Sequence, residues 1–320
     1  MKQKQPNKES TLETTIKKIE KITVFNGSPR KARGNTHFIT QALLEGAVEA
    51  GATAEVVFLY DQDIKPCYGE FHCWLKHPGK CFQKDDVAGL YEKVKASDLV
   101  VFATPLYADN VTAVTKALID RIIPLVDPHM DKDGNQQYDS KDKIAGAPKL
   151  LLNYGLAFFD PHFQKKVPGE YRHRKRIAEN GNIINFPKIG IISNCGLPEQ
   201  THFEVLKLYF RRLARNLSTE VVAEVYRGGG ELLADKSSAL QPTIHKYQDL
   251  LRQAGRELVT QGTFSVETKE QLELPLIPHD LYAALANASF DRALGQNDHF
   301  INKIIGAYEK REREKNKLKK

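Results

Sequence analysis

The chain has 320 residues, of which 41% are hydrophobic and 27% charged, and it carries a formal net charge of +7 at pH 7. This length supports one large domain or two ordinary ones, either with a substantial core. No apolar run approaches the roughly 20 residues of a membrane span, and the polar N-terminus lacks the apolar segment of a secretory signal, so we expect a cytoplasmic protein without a membrane partner.

The positive charge concentrates at the two ends of the chain. Lysines are frequent in residues 1–21, and residues 310–320 read Lys-Arg-Glu-Arg-Glu-Lys-Asn-Lys-Leu-Lys-Lys. Polar ends of this kind are usually solvated, so we do not expect nucleic-acid binding. We divide the chain into a polar tail (residues 1–20), one domain (residues 21–262), and a helical extension with a basic tail (residues 263–320).

The first predicted strand is followed by a loop with the features of an anion site. Residues 22–25 form a short apolar run of the kind that a buried parallel strand uses, and Gly27-Ser28-Pro29 ends it. Gly34-Asn35-Thr36 then begins a helical pattern, and the free N–H groups and dipole of a helix N-terminus favour a bound anion. The side chains that add donors are those of Ser28, Arg30, Arg33, Asn35 and Thr36.

This loop is neither of the two common nucleotide loops. It lacks the Gly-Lys-Ser/Thr ending of a Walker loop and the Gly-x-Gly-x-x-Gly spacing of the dinucleotide fingerprint. A hydroxyl-rich loop with few lysines suits a single phosphate, as in a mononucleotide such as FMN. An ordinary strand-to-helix turn capped by Asn35 or Thr36 is the alternative interpretation.

Four further strands are predicted downstream, most of them separated by helical patterns. The strands lie at residues 56–59, 99–103, 189–193 and 221–226, and the helices lie near 36–50, 87–96, 111–123, 203–217 and 244–258. This alternation indicates an α/β fold with five parallel strands covered on both faces. A long insertion, at about residues 124–187, precedes the fourth strand.

Two more unusual loops follow predicted strands. Residues 104–110 read Thr-Pro-Leu-Tyr-Ala-Asp-Asn, and residues 194–199 read Asn-Cys-Gly-Leu-Pro-Glu. Because ligands of such sheets bind beyond the carboxyl ends of the strands, three unusual loops at that edge predict one binding site.

Together these motifs resemble the NADPH-dependent FMN reductase family of the flavodoxin-like superfamily. The first loop is similar to the family's phosphate loop, with one residue more than the commonest form. Residues 104–107, followed by Lys116 and Asp120-Arg121, are similar to its second signature. The match covers about residues 21–123 and returns at 187–230. The resemblance implies a flavodoxin-like, doubly wound fold that holds FMN non-covalently, with NAD(P)H as the hydride donor.

Carried over position by position, the resemblance implies eleven cofactor-binding residues and no catalytic side chain, since the flavin carries the chemistry. Ser28, Arg30, Asn35 and Thr36 would bind the phosphate. Pro105, Leu106, Tyr107 and Asn110 would contact the ribityl chain and the isoalloxazine ring, and Asn194, Cys195 and Gly196 would cover another ring edge. Family members are commonly dimers, so we also expect a homodimer.

Three cysteines follow the second strand, at Cys67, Cys73 and Cys81. Their spacing resembles the four-cysteine motif of the iron–sulfur flavoprotein branch, but Glu70 stands at its second position. Because an Fe–S cluster normally needs four thiolates, we expect no cluster and no other metal here, and we interpret the three as reduced cytosolic thiols. Zinc held by these cysteines with His72 or His77 is the other metal alternative. Cys195 is expected to touch the flavin or to serve as a small packing residue.

Three functions remain open at this point. The favoured one is an FMN-dependent NAD(P)H oxidoreductase that passes electrons to a quinone or another small acceptor. The alternative is an electron-carrier flavoprotein that a partner protein reduces, with or without an Fe–S cluster. A non-catalytic binding module acting through the basic tails would bind no FMN.

Overall fold

A five-stranded parallel sheet forms the centre of the computed structural model, which describes residues 18–132, 171–178 and 180–295. Its strands are β1 (Lys21–Asn26), β2 (Thr53–Phe58), β3 (Leu99–Pro105), β6 (Lys188–Asn194) and β7 (Val221–Arg227), and a separate antiparallel hairpin holds β4 (Val126–Lys132) and β5 (Tyr171–Lys175). The spatial order of the sheet is β2-β1-β3-β6-β7. With the hairpin set aside this is the flavodoxin-like order 2-1-3-4-5, so the predicted fold class is confirmed.

Helices cover both faces of the sheet. The described helices are α1 (Asn35–Glu49), α2 (His72–Leu75), α3 (Val87–Lys95), α4 (Ala113–Asp120), α5 (Glu204–Asn216), α6 (Gln241–Gln261), α7 (Val266–Glu273) and α8 (His279–Ala293). Short 3-10 helices lie at Lys31–Arg33, Leu59–Asp61, Ile123–Leu125, Gln200–Phe203 and Gly230–Ala234. Within the described ranges, no helix combines the length and the apolar character needed to span a membrane.

The side chains of β3 alternate between two hydrophobic cores. Leu99 and Val101 pack with residues of α1 and α6 on one face of the sheet. Val100 and Phe102 pack with residues of α3, α4 and α5 on the other face. Because both faces are covered, every residue of the strand before its last is buried, which is why it reads as a continuous apolar run.

Two glycines allow α1 and α6 to pack at very short range. A Cβ added to Gly46 would lie 1.8 Å from the backbone oxygen of Arg252, and one added to Gly255 would lie 2.0 Å from the backbone oxygen of Leu43. No side chain fits between the two backbones at either position. The contact fixes α1, whose N-terminus lies at the carboxyl edge of the sheet.

A buried ion pair anchors the cysteine segment, by which we mean residues 62–86 between β2 and α3. Two guanidinium nitrogens of Arg121 lie 2.7 and 3.1 Å from the two carboxylate oxygens of Asp85, and the two side chains are only 1% and 0% exposed. Arg121 also donates to the backbone oxygen of Lys65, at 2.8 Å. From the same segment, the indole N–H of Trp74 donates to the backbone oxygens of Ile123 and Val126.

The hairpin of β4 and β5 belongs to the predicted insertion. Just after β5, the buried guanidinium of Arg176 donates to the backbone oxygens of Pro124 and Val126, at 2.7 and 2.8 Å, and so holds the end of β5 against the start of β4. Residues 133–170 of the insertion lie outside the described part of the chain, as do the N-terminal tail up to residue 17 and the basic end from residue 296.

The predicted helical extension is confirmed, and it docks beside β7 through two charged groups. Arg227 donates to the backbone oxygens of Leu272 and Leu274, and its guanidinium lies 4.1 Å from the centre of the Tyr247 ring. The second group is the carboxylate of Glu257 on α6, which accepts hydrogen bonds from four donors. They are the backbone N–H of Ser265, the hydroxyls of Ser265 and Thr268, and the amide of Gln253.

Candidate active site

The loop after β1 is fixed to β3 by its backbone. The N–H of Gly27 donates to the backbone oxygen of Ala103 at 2.8 Å, and the N–H of Ser28 donates to the side-chain oxygen of Asn26 at 2.9 Å. A Cβ added to Gly27 would lie 1.8 Å from the hydroxyl oxygen of Thr115, so glycine is required there. The loop therefore leaves β1 along one defined path and presents Ser28 at the end of the sheet.

Helix α1 begins at this loop with its first turn open. Gly34 precedes the helix, and no side chain caps it. The hydroxyl of Thr36 accepts a hydrogen bond from the side-chain amide of Asn194 at 2.7 Å, which leaves the hydroxyl hydrogen of Thr36 available to a ligand. An uncapped helix N-terminus lined by buried hydroxyls of Ser28 and Thr36 is a suitable site for a phosphate.

The loop after β3 is a tight turn that presents one aromatic side chain. Tyr107 and Asn110 exchange backbone hydrogen bonds at 2.9 and 3.0 Å across Ala108 and Asp109, both of which have positive φ. The side-chain oxygen of Asn110 accepts from the N–H of Val111, so Asn110 closes the turn. Tyr107 is 51% exposed and stands at the mouth of the site.

The loop after β6 places the thiol of Cys195 near three carboxylates. The Cys195 thiol donates to the backbone oxygen of Leu197 at 3.2 Å. Burial raises the pKa of this thiol, and the nearby carboxylates of Glu231, Glu199 and Asp109 raise it further. Cys195 is therefore a neutral thiol at physiological pH and contributes no charge to the site.

These three loops meet in one pocket at the carboxyl edge of the sheet, with about 510 Å³ of empty space, part of it open to solvent. Its lining comprises Ser28, Arg30, Asn35, Thr36, Pro105, Leu106, Tyr107, Asn194, Cys195, Gly196 and Glu231. The structure thus brings together ten of the eleven residues that the sequence nominated, and it places Asn110 in the turn behind Tyr107. The lining residues fit a phosphate beside the N-terminus of α1 and a planar group beside Tyr107.

Glu231 is a pocket residue that the sequence analysis missed. It follows Gly228-Gly229-Gly230 at the carboxyl end of β7, at the same sheet edge as the three loops. Its carboxylate oxygen Oε2 accepts a hydrogen bond from the hydroxyl of Tyr282, at 2.6 Å. The run of three glycines after a parallel strand was the signal that could have identified it.

The three cysteines of the cysteine segment differ in their exposure to solvent. Cys67 is exposed, Cys73 is buried and Cys81 is partly buried. Burial raises the pKa of the Cys73 thiol, and the neighbouring Cys81, Glu70 and Cys67 raise it further. In the part of the chain that the structure describes, no three His, Cys, Asp or Glu side chains are arranged to hold a metal ion. With three thiols and one carboxylate, the segment does not fit a four-thiolate cluster.

Comparison with known proteins confirms the family resemblance. Residues 20–146 match the model of the NADPH-dependent FMN reductase family. An iron–sulfur flavoprotein of Archaeoglobus fulgidus is 43% identical over 101 residues, which are 32% of this chain and 48% of that protein. An iron–sulfur flavoprotein of Methanosarcina thermophila is 38% identical over 105 residues, which are 33% of this chain and 53% of that protein.

The chain spans about half the length of the curated relatives that it matches. Among solved structures, an NAD(P)H:quinone oxidoreductase from Methanothermobacter marburgensis aligns with a TM-score of 0.46 at 17% identity, over 75% of this chain and 97% of that one.

Proposed function

From the family match of residues 20–146, we infer that the protein is an FMN-dependent NAD(P)H oxidoreductase. The observation that carries this proposal is a pocket at the carboxyl edge of the sheet, where ten of the eleven residues that the family resemblance implied line one cavity. When bound there, FMN would supply the chemistry, taking a hydride from NAD(P)H and passing electrons to an acceptor. The protein would supply binding, orientation and electrostatics.

The two ends of the pocket have different tasks in this proposal. Ser28, Thr36 and the first turn of α1 hold the phosphate by hydrogen bonds, and Arg30 adds a positive charge. Pro105, Leu106 and Tyr107 provide the apolar wall for the ring. Because Tyr107 is half exposed, the ring remains accessible to a small acceptor such as a quinone.

The test begins with the absorbance spectrum of the purified chain after incubation with FMN. We expect flavin bands that NAD(P)H bleaches without oxygen and that a quinone restores. Thr36→Val should weaken FMN binding about 10- to 100-fold, since a hydrogen bond to a charged group contributes about 1.5–3 kcal/mol. The same substitution should weaken the binding of riboflavin much less, because riboflavin lacks the phosphate.

Thr40→Val is the matched control. Thr40 lies one turn further along α1, is equally buried, and donates its hydroxyl hydrogen to the backbone oxygen of Thr36 rather than lining the pocket. It should leave FMN affinity unchanged. A wild-type chain that binds no FMN would refute the proposal, as would equal losses of FMN affinity in the two variants.

A second candidate is an electron carrier that a partner protein reduces. The names of the two curated relatives described above, both iron–sulfur flavoproteins, favour it. No step in our proposal passes through a cluster, because the cysteine segment does not fit one. If NAD(P)H leaves the flavin bands unchanged while dithionite bleaches them, the carrier function replaces the oxidoreductase.

We also propose that the protein is a cytoplasmic homodimer. The homodimer is supported by exposed apolar side chains on the cysteine segment, namely Tyr68, Phe71, Leu75 and Phe82, which are 44–76% exposed. Burying them against a second copy would remove apolar surface from water. Sedimentation as a monomer at micromolar concentration would contradict the dimer.

A further inference from the structure

The lining of the candidate pocket contains charges of both signs. Arg30 and the N-terminus of α1 make one end positive. The other end contains Cys195, and the carboxylates of Glu231, Glu199 and Asp109 all act on its thiol. Of these three carboxylates, only that of Glu231 lines the pocket itself. A ligand that fills this pocket therefore meets both a positive group and the carboxylate of Glu231.

Contacts from outside the sheet domain fix the carboxylate of Glu231 in place. The hydroxyl of Tyr282, on α8 of the extension, lies 2.6 Å from both Oε2 of Glu231 and the backbone oxygen of Gly196. Tyr282 is buried, and its ring packs on Gly229, where an added Cβ would lie 3.1 Å from the ring. A Cβ added to Gly196 would lie 2.9 Å from Oε1 of Glu231, so the carboxylate also packs against that backbone.

We propose that Glu231 lowers the reduction potential of a flavin bound in this pocket, and that Tyr282 is the residue that positions it. The inference rests on the proposed function. Were FMN bound there, a hydride from NAD(P)H would add two electrons and one proton to the neutral ring, which would give the ring a negative charge and leave the nicotinamide as the oxidised cation. A fixed carboxylate in the same pocket opposes that charge and disfavours the reduced cofactor.

The low potential has a consequence for the reaction. It makes the bound cofactor a stronger reductant, so electrons pass more readily to the acceptor, while reduction by the nicotinamide becomes less favourable. The extension would thereby control the chemistry of a pocket that the loops of the sheet domain build.

The experiment measures the midpoint potential of bound FMN and the dissociation constant of oxidised FMN in Glu231→Gln, which keeps the shape of the side chain and removes its charge. We expect a higher potential, equivalent to about tenfold tighter binding of reduced relative to oxidised FMN. Tyr282→Phe retains the ring and releases the carboxylate, so it should shift the potential in the same direction by a smaller amount.

Glu273→Gln is the control, since it makes the same charge change on α7, where Glu273 pairs with Lys207 outside the pocket. It should leave the potential unchanged. If wild-type protein binds FMN and Glu231→Gln gives the same potential as Glu273→Gln, or a lower one, the inference is wrong while the proposed function stands. A wild-type protein that binds no FMN refutes both.

Discussion

The cysteine segment and the C-terminal extension are both held against the sheet by buried charges, but in different ways. In the cysteine segment, Arg121 and Asp85 neutralise each other directly through two hydrogen bonds. In the extension the two charges have separate surroundings. The described partners of Arg227 are two backbone oxygens and a ring, and those of Glu257 are neutral donors.

This difference predicts how much stability is lost when a charged residue in either set of contacts, here called an anchor, is replaced. Removing one member of a buried ion pair leaves the other charge without compensation, which is the costly case. Arg227 and Glu257 each have neutral partners. Removing one of these two charges leaves its neutral partners without a hydrogen bond, and it does not affect the other charge. The first anchor should therefore behave as one coupled unit, and the second as two independent contacts.

The largest effect is expected for Arg121→Met. It leaves the fully buried carboxylate of Asp85 unpaired and should lower the free energy of unfolding by about 3–5 kcal/mol. Urea unfolding followed by circular dichroism measures the loss. The fluorescence of Trp74, which is the one tryptophan in the sequence, reports on the cysteine segment itself.

Two further variants test the coupling. The double variant Arg121→Met, Asp85→Asn should recover a large part of the loss, because it leaves no buried charge. Lys116→Met removes a half-exposed pair with Asp120, one turn earlier on α4, and should cost less than about 1 kcal/mol. A double variant less stable than Arg121→Met would show that the two residues are not coupled in this way.

A smaller effect is expected for Arg227→Met. Losing charge-assisted hydrogen bonds to two carbonyls should cost about 2 kcal/mol, and the extension should open more readily. Limited trypsin digestion followed by mass spectrometry should show faster cleavage at Lys269 on α7. Combined with Glu257→Gln, the losses should add to within about 0.5 kcal/mol. Strong non-additivity would mean that the two charges interact after all.

The smallest effect concerns pH. Burial alone would raise the pKa of Asp85, but hydrogen bonds from Arg121 and from the backbone N–H of Lys65 outweigh it and hold the pKa below its usual range. Such a carboxylate stabilises the fold above its unfolded pKa of about 3.9, and this contribution is lost as the pH falls through the lower pKa of the folded state.

The stability difference between wild type and Arg121→Met should therefore shrink from pH 6 to pH 3, as measured by urea unfolding at each pH. The difference for Arg227→Met should stay constant, because the hydrogen bonds of Arg227 go to backbone oxygens and involve no carboxylate. If the stability differences for Arg121→Met and Arg227→Met fell equally from pH 6 to pH 3, the two sets of contacts would not differ in the way described.

The sequence predicted the buried strands and the pocket loops because both leave local signals. Apolar runs such as that of β3 occur where both faces of a strand are covered. Glycine and hydroxyl residues after β1 mark a turn against a helix N-terminus. The edge strand β2 was predicted to begin at residue 56, but it begins at Thr53. Backbone pairing fixes that start, since the N–H of Thr53 donates to the backbone oxygen of Glu20 at 2.7 Å.

Contacts between distant parts of the chain could not be predicted in this way. Glu231 enters the pocket because Gly229 adopts a positive φ and Tyr282, 51 positions away, holds the carboxylate. Nothing near Tyr282 in the sequence indicates that contact. The side-chain amide of Asn110 could bind a ligand. In the structure, however, Asn110 closes the turn after β3, where its backbone pairs with Tyr107 and its side-chain oxygen accepts a hydrogen bond from the N–H of Val111.

The two glycines between α1 and α6, Gly46 and Gly255, affect the pocket although they do not line it. Gly46 lies eleven residues from the start of α1, which is about 16 Å along the helix axis. A side chain at Gly46 or Gly255 would displace the whole helix, and with it the N–H groups that face the pocket. A larger residue at either position should therefore weaken ligand binding, although neither glycine lines the pocket.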